Sequence, residues 1–211
     1  MLPLVLDLAR LRLALIGEGE SGLRRLRLLD EAGSRDLTVY SPAPGRDLEA
    51  AAGARLVRRL PSDDELAQAQ LVFIAGLDPG RRDEAAKRAQ DAGRIVHAED
   101  AKQVTDVHVP AVLRRGDLAI AVSTSGKAPG LAVELRNYLG RLIGPEWRGR
   151  LEEISGLRLG WMEAGVAPDI VASRTGEWMR GWNWLGVEAE AKRAPLAPET
   201  GAGPTPPARQ S

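Results

Sequence analysis

Three glycines, Gly17, Gly19 and Gly22, stand in the spacing G-x-G-x-x-G between the apolar run 11–16 and the amphipathic segment 23–32. The chemistry this spacing serves is the binding of a pyrophosphate. The first glycine allows a sharp turn, the second lets the backbone approach the phosphates, and the third lets a helix pack closely on a strand. The helix that follows directs unpaired N–H groups and its positive dipole end toward the anion. Gly17, Glu18, Gly19, Glu20, Ser21 and Gly22 are therefore the expected phosphate side of a dinucleotide site. A chain with 23 glycines in 211 residues produces such spacings by accident, so the assignment rests on the strand before it and the helix after it. The second apolar run ends in Ser41-Pro42, where an acidic residue often holds the adenosine ribose, and the choice between NAD and NADP stays open.

The elements that must position this turn are legible as alternating strands and helices. Strands are predicted over 11–16, 36–40, 54–58, 71–75 and 94–97, and helices over 23–32 and 80–91, with another starting at Ser62-Asp63-Asp64-Glu65 in capping-box register. The continuous apolar run 71–75 suits a central parallel strand covered on both faces. This alternation predicts an α/β fold with a Rossmann-type doubly wound parallel sheet, whose ligands bind outside the carboxyl ends of the strands. Gly76 and residues 97–100 fall at such ends.

Beyond the sheet the rhythm changes. A strand over 118–122 leads into the small-polar loop 123–129 and a helix from Gly130 to about Ile143, whose apolar residues form an interface or a core face. Residues 146–190 hold all five tryptophans, expected to form a compact core, and the Pro/Gly/Ala-rich end from Ala194 reads as a disordered tail.

Composition narrows the function classes. The chain is 44% hydrophobic and 4% aromatic, which suits an aliphatic α/β interior. Twenty-nine basic residues balance 29 acidic ones, so no global field draws nucleic acid or a membrane surface. The absence of cysteine removes disulfides, thiolate metal sites and thiol nucleophiles. His97 and His108 alone are a weak metal set, and no metal site is expected. Asp7, Arg10 and Arg12 break the apolar N-terminal stretch, so it reads as folded rather than as a signal peptide. No apolar run is long enough for a membrane helix, and a cytoplasmic protein is expected.

By residue 123 the order of motifs resembles the precorrin-2 dehydrogenase family, the dehydrogenase/chelatase module of sirohaem synthesis. The likeness lies in Leu2-Pro3-Leu4-Val5-Leu6-Asp7-Leu8, in Gly17-Glu18-Gly19 with Arg24-Arg25, in Val109-Pro110-Ala111, in Arg114-Arg115-Gly116-Asp117-Leu118, and in Ala121-Val122-Ser123-Thr124-Ser125-Gly126-Lys127-Ala128-Pro129. The resemblance implies NAD-dependent oxidation of precorrin-2 to sirohydrochlorin by an intertwined homodimer, with iron or cobalt insertion by some relatives. It implies a Rossmann domain over 1–113, a dimerisation segment over 114–145, and a small helical region over 146–193 before the tail 194–211. Asp100 stands where the family carries its functional aspartate and is the expected general base. His97 takes the asparagine position of that motif and is expected to hydrogen-bond at the cofactor end. Gly76 and Ser41 complete the expected cofactor residues, and Ser123, Thr124, Ser125 and Lys127 are expected to meet the carboxylates of the tetrapyrrole. No methyltransferase region is legible, so the methylation that makes precorrin-2 is expected from another protein. Glu18, Glu99, Gly76 and Ser125 depart from the family pattern. Glu18 and Glu99 place carboxylates beside the expected pyrophosphate and the expected base, which keeps a non-catalytic nucleotide- or tetrapyrrole-binding module as the alternative.

Overall fold

A computed structural model of the chain describes residues 2–181. Five strands, β1 (Arg12–Gly17), β2 (Asp36–Tyr40), β3 (Leu56–Val57), β4 (Leu71–Ala75) and β5 (Ile95–Ala98), form one parallel sheet in the order β3-β2-β1-β4-β5. The chain winds outward from β1 in one direction and then returns to build β4 and β5 on its other side. The crevice between β1 and β4 is thus the topological switch point, where such sheets bind ligands.

Both faces of the sheet are covered, and the strand period of two divides its side chains between two cores. Leu13, Leu15, Leu71 and Phe73 enter one core with Leu23, Leu26 and Leu29 of α1 (Gly19–Glu31) and Leu48 of α2 (Arg46–Ala52). Ala14, Ile16, Val72, Ile74, Val96 and Ala98 enter the other, with Leu66 of α3 (Asp63–Gln68) and Ala85, Ala86 and Ala89 of α4 (Pro79–Asp91). Helix α3 begins at the predicted capping box. The Glu65 N–H donates to Ser62 Oγ at 3.2 Å and the Ser62 N–H donates to Glu65 Oε2 at 2.8 Å. Helix α2 is absent from the sequence prediction because its seven residues are too few to establish a 3.6-residue period.

After the sheet come the strands β6 (Ala111–Arg115) and β7 (Leu118–Val122), a two-stranded pair turned at Gly116, whose φ is +62°. Of these only β7 is visible in the sequence, since Pro110 and the Arg114-Arg115 pair mask the pattern of β6. Helix α5 (Pro129–Leu142) follows within the predicted bounds to one residue.

The described residues divide into two compact units, one of residues 2–114 with 119–143 and one of residues 115–118 with 144–181. In the second, α6 (Trp147–Glu163) and α7 (Pro168–Gly181) bury only Ile154 and Val171. Here the tryptophan prediction fails. Trp147, Trp161 and Trp178 are all only part-buried, because two helices share a single seam and cannot enclose indoles. Arg150 and Arg174 lie over the Trp147 and Trp161 rings instead, at 5.1 and 5.9 Å from the centroids. Trp182, Trp184 and the tail lie outside the described residues. No described helix is long and apolar enough to cross a membrane.

Candidate active site

At the switch point a single residue, Glu18, separates the last residue of β1 from the first of α1. Gly19 has φ +59°, a left-handed conformation that favours glycine. A Cβ on Gly22 would lie 2.9 Å from the Gly17 carbonyl carbon, so helix and strand meet at backbone distance. Gly76 follows β4 with φ +74°, and a Cβ there would lie 2.1 Å from the Glu18 carbonyl oxygen. The Glu18 N–H donates to the Ala75 carbonyl at 3.1 Å. The Glu18 carbonyl can therefore lie against residue 76 only because that residue has no side chain.

This turn fits a pyrophosphate. Glu18 is the N-cap residue of α1 and makes no side-chain cap, so the first N–H groups of the helix point outward without an intrahelical partner. The carboxylate of Glu18, which would repel an anion, is gripped from α4 by Arg81, whose Nη1 and Nη2 donate at 3.1 and 2.6 Å. Arg81 also donates to Asp78 at 2.7 Å, and these carboxylates, Glu18 first, raise its pKa above the ordinary arginine value. Ser41 is fully buried at the end of β2, and its Oγ has no partner, so a hydroxyl stands where a ribose is commonly held. Glu20 is exposed, and Ser21 Oγ accepts from Arg24 at 3.0 Å.

A second concavity of about 650 Å³ opens at the carboxyl end of β5. Of the predicted residues it gathers Asp100, His97, Ser123 and Thr124, and it adds Arg24 and Arg25 of α1 with Lys102 and His108. Ser125 and Lys127 do not line it. The Ser125 N–H donates to Ser123 Oγ at 3.2 Å and the Lys127 N–H to the Thr124 carbonyl at 3.0 Å, a tight turn that leaves Lys127 exposed. The cations that line the cleft are Lys102, Arg24 and Arg25.

Asp100 is exposed and holds φ +55°, a conformation uncommon for a residue with a Cβ and associated with functional sites. The chain after it folds back and pins the edge strand that carries it. The Thr105 hydroxyl donates to the Ala98 carbonyl at 2.8 Å and accepts from the Ala98 N–H at 3.0 Å, and the Val96 N–H donates to Asp106 Oδ2 at 3.0 Å.

His97 is buried in the floor of the cleft, its ring 5.7 Å from that of Phe73. Its Nδ1 lies 2.9 Å from the Val107 carbonyl. A carbonyl can only accept, so Nδ1 carries the hydrogen and Nε2 presents a lone pair. That Nε2 is buried without a partner. Burial lowers the pKa below the ordinary histidine value, and the ring is a neutral acceptor near pH 7. Among the described residues no group of three or more potential ligands could hold a metal ion.

Glu99, beside Asp100, receives Arg24 Nη2 at 3.1 Å and lies 3.7 Å from Arg25 Nη2. Arg25 lies 5.9 Å from the Phe73 ring centroid, and burial holds its pKa below the ordinary value against the pull of Glu99. The sequence displays Arg24-Arg25 only as a motif. Their position on the first turns of a helix that starts at the glycine turn is the signal available there.

The sheet order, the glycine turn and the adjoining cleft define a Rossmann-type dinucleotide-binding protein. A family model described as putative NAD(P)-binding matches residues 4–111, more than half of the chain, and one described as sirohaem biosynthesis protein central matches residues 115–142. The chain belongs to this NAD(P)-binding family, with the sirohaem-biosynthesis segment directly after it, as the motif resemblance implied. Siroheme synthase of Pseudomonas entomophila is 37% identical over 183 residues, covering 84% of this chain and 38% of the relative. That of Photobacterium profundum is 30% identical over 158 residues, covering 74% and 33%. The chain thus spans well under half the length of these curated relatives. Among solved structures, SirC, a precorrin-2 dehydrogenase, shares the fold with a TM-score of 0.67 over 91% of this chain and 96% of that one, at 19% identity.

Proposed function

We propose that the protein oxidises precorrin-2 to sirohydrochlorin with NAD as oxidant, in the cytoplasm. One observation carries the reading: Arg24 donates both to Ser21 of the glycine turn, at 3.0 Å, and to Glu99 beside Asp100, at 3.1 Å. A single side chain thereby couples the expected nucleotide turn to the cleft that holds the expected base. The names of the siroheme synthase relatives and of SirC support the same substrate.

Gly17, Gly19, Gly22 and the α1 N-terminus would hold the pyrophosphate, and Ser41 the ribose. When bound, the nicotinamide supplies the acceptor for a hydride. Two electrons and one proton leave the macrocycle in that form, and a second proton is released as a new double bond extends the conjugation. The Asp100 carboxylate takes this proton. Arg24, Arg25 and Lys102 face the substrate carboxylates, which guanidinium groups bind through paired N–H donors, while Ser123 and Thr124 offer hydroxyls. The Asp100 carboxylate can also accept pyrrole protons when iron or cobalt enters sirohydrochlorin, so metal insertion, with the ion as substrate, is a second activity of this cleft. A homodimer completes the reading. Helix α5, in the segment 114–145, exposes Leu131, Leu135, Tyr138 and Leu142 at 54, 42, 50 and 52%, a face that a second copy covers.

The test is an anaerobic assay with enzymatically generated precorrin-2, with and without NAD, followed by addition of Co²⁺ or Fe²⁺. Sirohydrochlorin forms only with NAD. Asp100→Ala lowers kcat by about 10²- to 10⁴-fold, the usual range for a lost general base, with NADH binding unchanged. A wild-type rate in this variant removes Asp100 from the chemistry. No product, with NADH still bound, makes the protein a non-catalytic binding module.

A further inference from the structure

Arg24 and Arg25 are consecutive residues of α1 that both reach one oxygen, Glu99 Oε1, at 3.1 and 3.7 Å. The Glu99 side chain is 20% exposed and that of Arg25 11%, whereas that of Arg24 is 61% exposed, so the cluster is shielded on its Arg25 side and open to solvent on its Arg24 side. Two cations share one anion, and Lys102 lines the same cleft. The cluster also leaves hydrogen-bonding capacity unused. Arg25 Nε is a buried donor without a partner, and His97 Nε2, on a residue 8% exposed, is a buried acceptor without one. Buried polar atoms without partners are uncommon in folded proteins, and two of them lie beside this cluster.

We infer that Arg24 and Arg25 form a carboxylate subsite of the cleft and that Glu99 occupies it in place of the ligand, as a built-in competitor. The inference rests on the proposed polycarboxylate tetrapyrrole substrate. A substrate carboxylate that engages the two guanidiniums must displace Glu99, which is then left beside Asp100 without its counter-ions. The charge of Glu99 is the larger part of its competition, because a carboxylate holds the two guanidiniums more strongly than a neutral amide oxygen in the same place would. Glu99 is in this sense an affinity-setting residue for polyanionic ligands, and Arg24 and Arg25 are the groups whose availability it limits.

The experiment uses the full chain and uroporphyrin, a tetrapyrrole octacarboxylate, as the probe, with Kd read from fluorescence. Glu99→Gln keeps the size of the side chain and an oxygen that accepts from Arg24, and it removes only the charge. It tightens uroporphyrin binding about five- to tenfold, on the scale of coupling energies between neighbouring charges, and steepens the loss of affinity with salt. Arg24→Gln weakens binding and cancels most of the gain in the double variant. Glu31→Gln, at the exposed far end of α1, removes the same charge away from the cleft and leaves Kd unchanged. Unaltered Tm and NADH affinity in Glu99→Gln show that the fold is intact. Equal or weaker uroporphyrin binding in Glu99→Gln overturns the inference, as does a wild-type chain that does not bind the probe at all. Turnover of precorrin-2 without the gain sinks this inference alone. The gain without turnover leaves the subsite standing and sinks the proposed reaction.

Discussion

The sheet and the α6–α7 pair handle apolar residues in opposite ways. Between the sheet and its helices Leu15, Ile16, Leu26, Val72 and Ile74 are fully enclosed, whereas along α6 and α7 Leu159, Met162 and Ile170 stand 57, 57 and 46% exposed. A sheet covered on both faces has two interior layers, so the strand residues between the sheet ends find one on either side. A helix pair has one seam, and a residue off that seam faces outward whatever its hydrophobicity. Apolar sequence becomes core only where a second and a third layer exist to enclose it. The same difference explains where the candidate chemistry sits. The glycine turn follows β1, whose side chains enter both cores, and Asp100 follows β5, whose Val96 and Ala98 enter one of them.

The contrast is broken or sharpened by four measurements. Leu26→Ala removes a fully buried side chain of α1 and costs about 2–5 kcal/mol in urea-unfolding free energy. A loss under about 1 kcal/mol would mean that the core beneath the glycine turn is loosely packed.

Gly76→Ala places a Cβ 2.1 Å from a backbone oxygen at φ +74°. It costs about 1–3 kcal/mol and weakens NADH binding at least tenfold by fluorescence titration, because the ends of β1 and β4 must separate.

His97 gives the sheet a pH dependence. Its folded pKa lies below the ordinary value through burial, so the unfolded chain takes up a proton that the folded one excludes. Stability therefore falls as pH drops below about 6.5 and on through the folded pKa, with a slope of up to ~1.4 kcal/mol per pH unit. His97→Asn flattens the wild-type decline between pH 7.5 and 5.5. Parallel curves for the two proteins would contradict the neutral buried imidazole.

The smallest effect is expected at Leu159→Ala. This apolar truncation on α6 changes unfolding free energy by less than about 0.5 kcal/mol, against several for Leu26→Ala.

Much of the fold is legible because its signals are local. The runs 11–16 and 71–75, the Ser62 and Glu65 capping box and the helix over 80–91 are each written in neighbouring residues, and each stands within a residue of where the sequence puts it. Helix α2 is lost to shortness and β6 to the arginines and proline around it. The site divides in the same manner. The glycine turn is a contiguous pattern, and its residues take the conformations their spacing implies. The cleft is assembled from positions 24, 97, 100, 102 and 123, and no spacing along the chain announces that set.

What the sequence determined alone is the alternation of strand and helix, the glycine turn and the motif order that places the chain in its family, because each is written in neighbouring residues. Only the tertiary structure decided that Arg81 neutralises Glu18 from α4, that Glu99 shares its charge between Arg24 and Arg25, that Lys102 rather than Lys127 lines the cleft, and that Trp147, Trp161 and Trp178 are only part-buried. Partner choice for a charge, and enclosure for an indole, depend on which elements meet in space. Contacts between residues far apart in sequence settle both, since a side chain's own chemistry fixes what it needs and only the fold fixes what it finds.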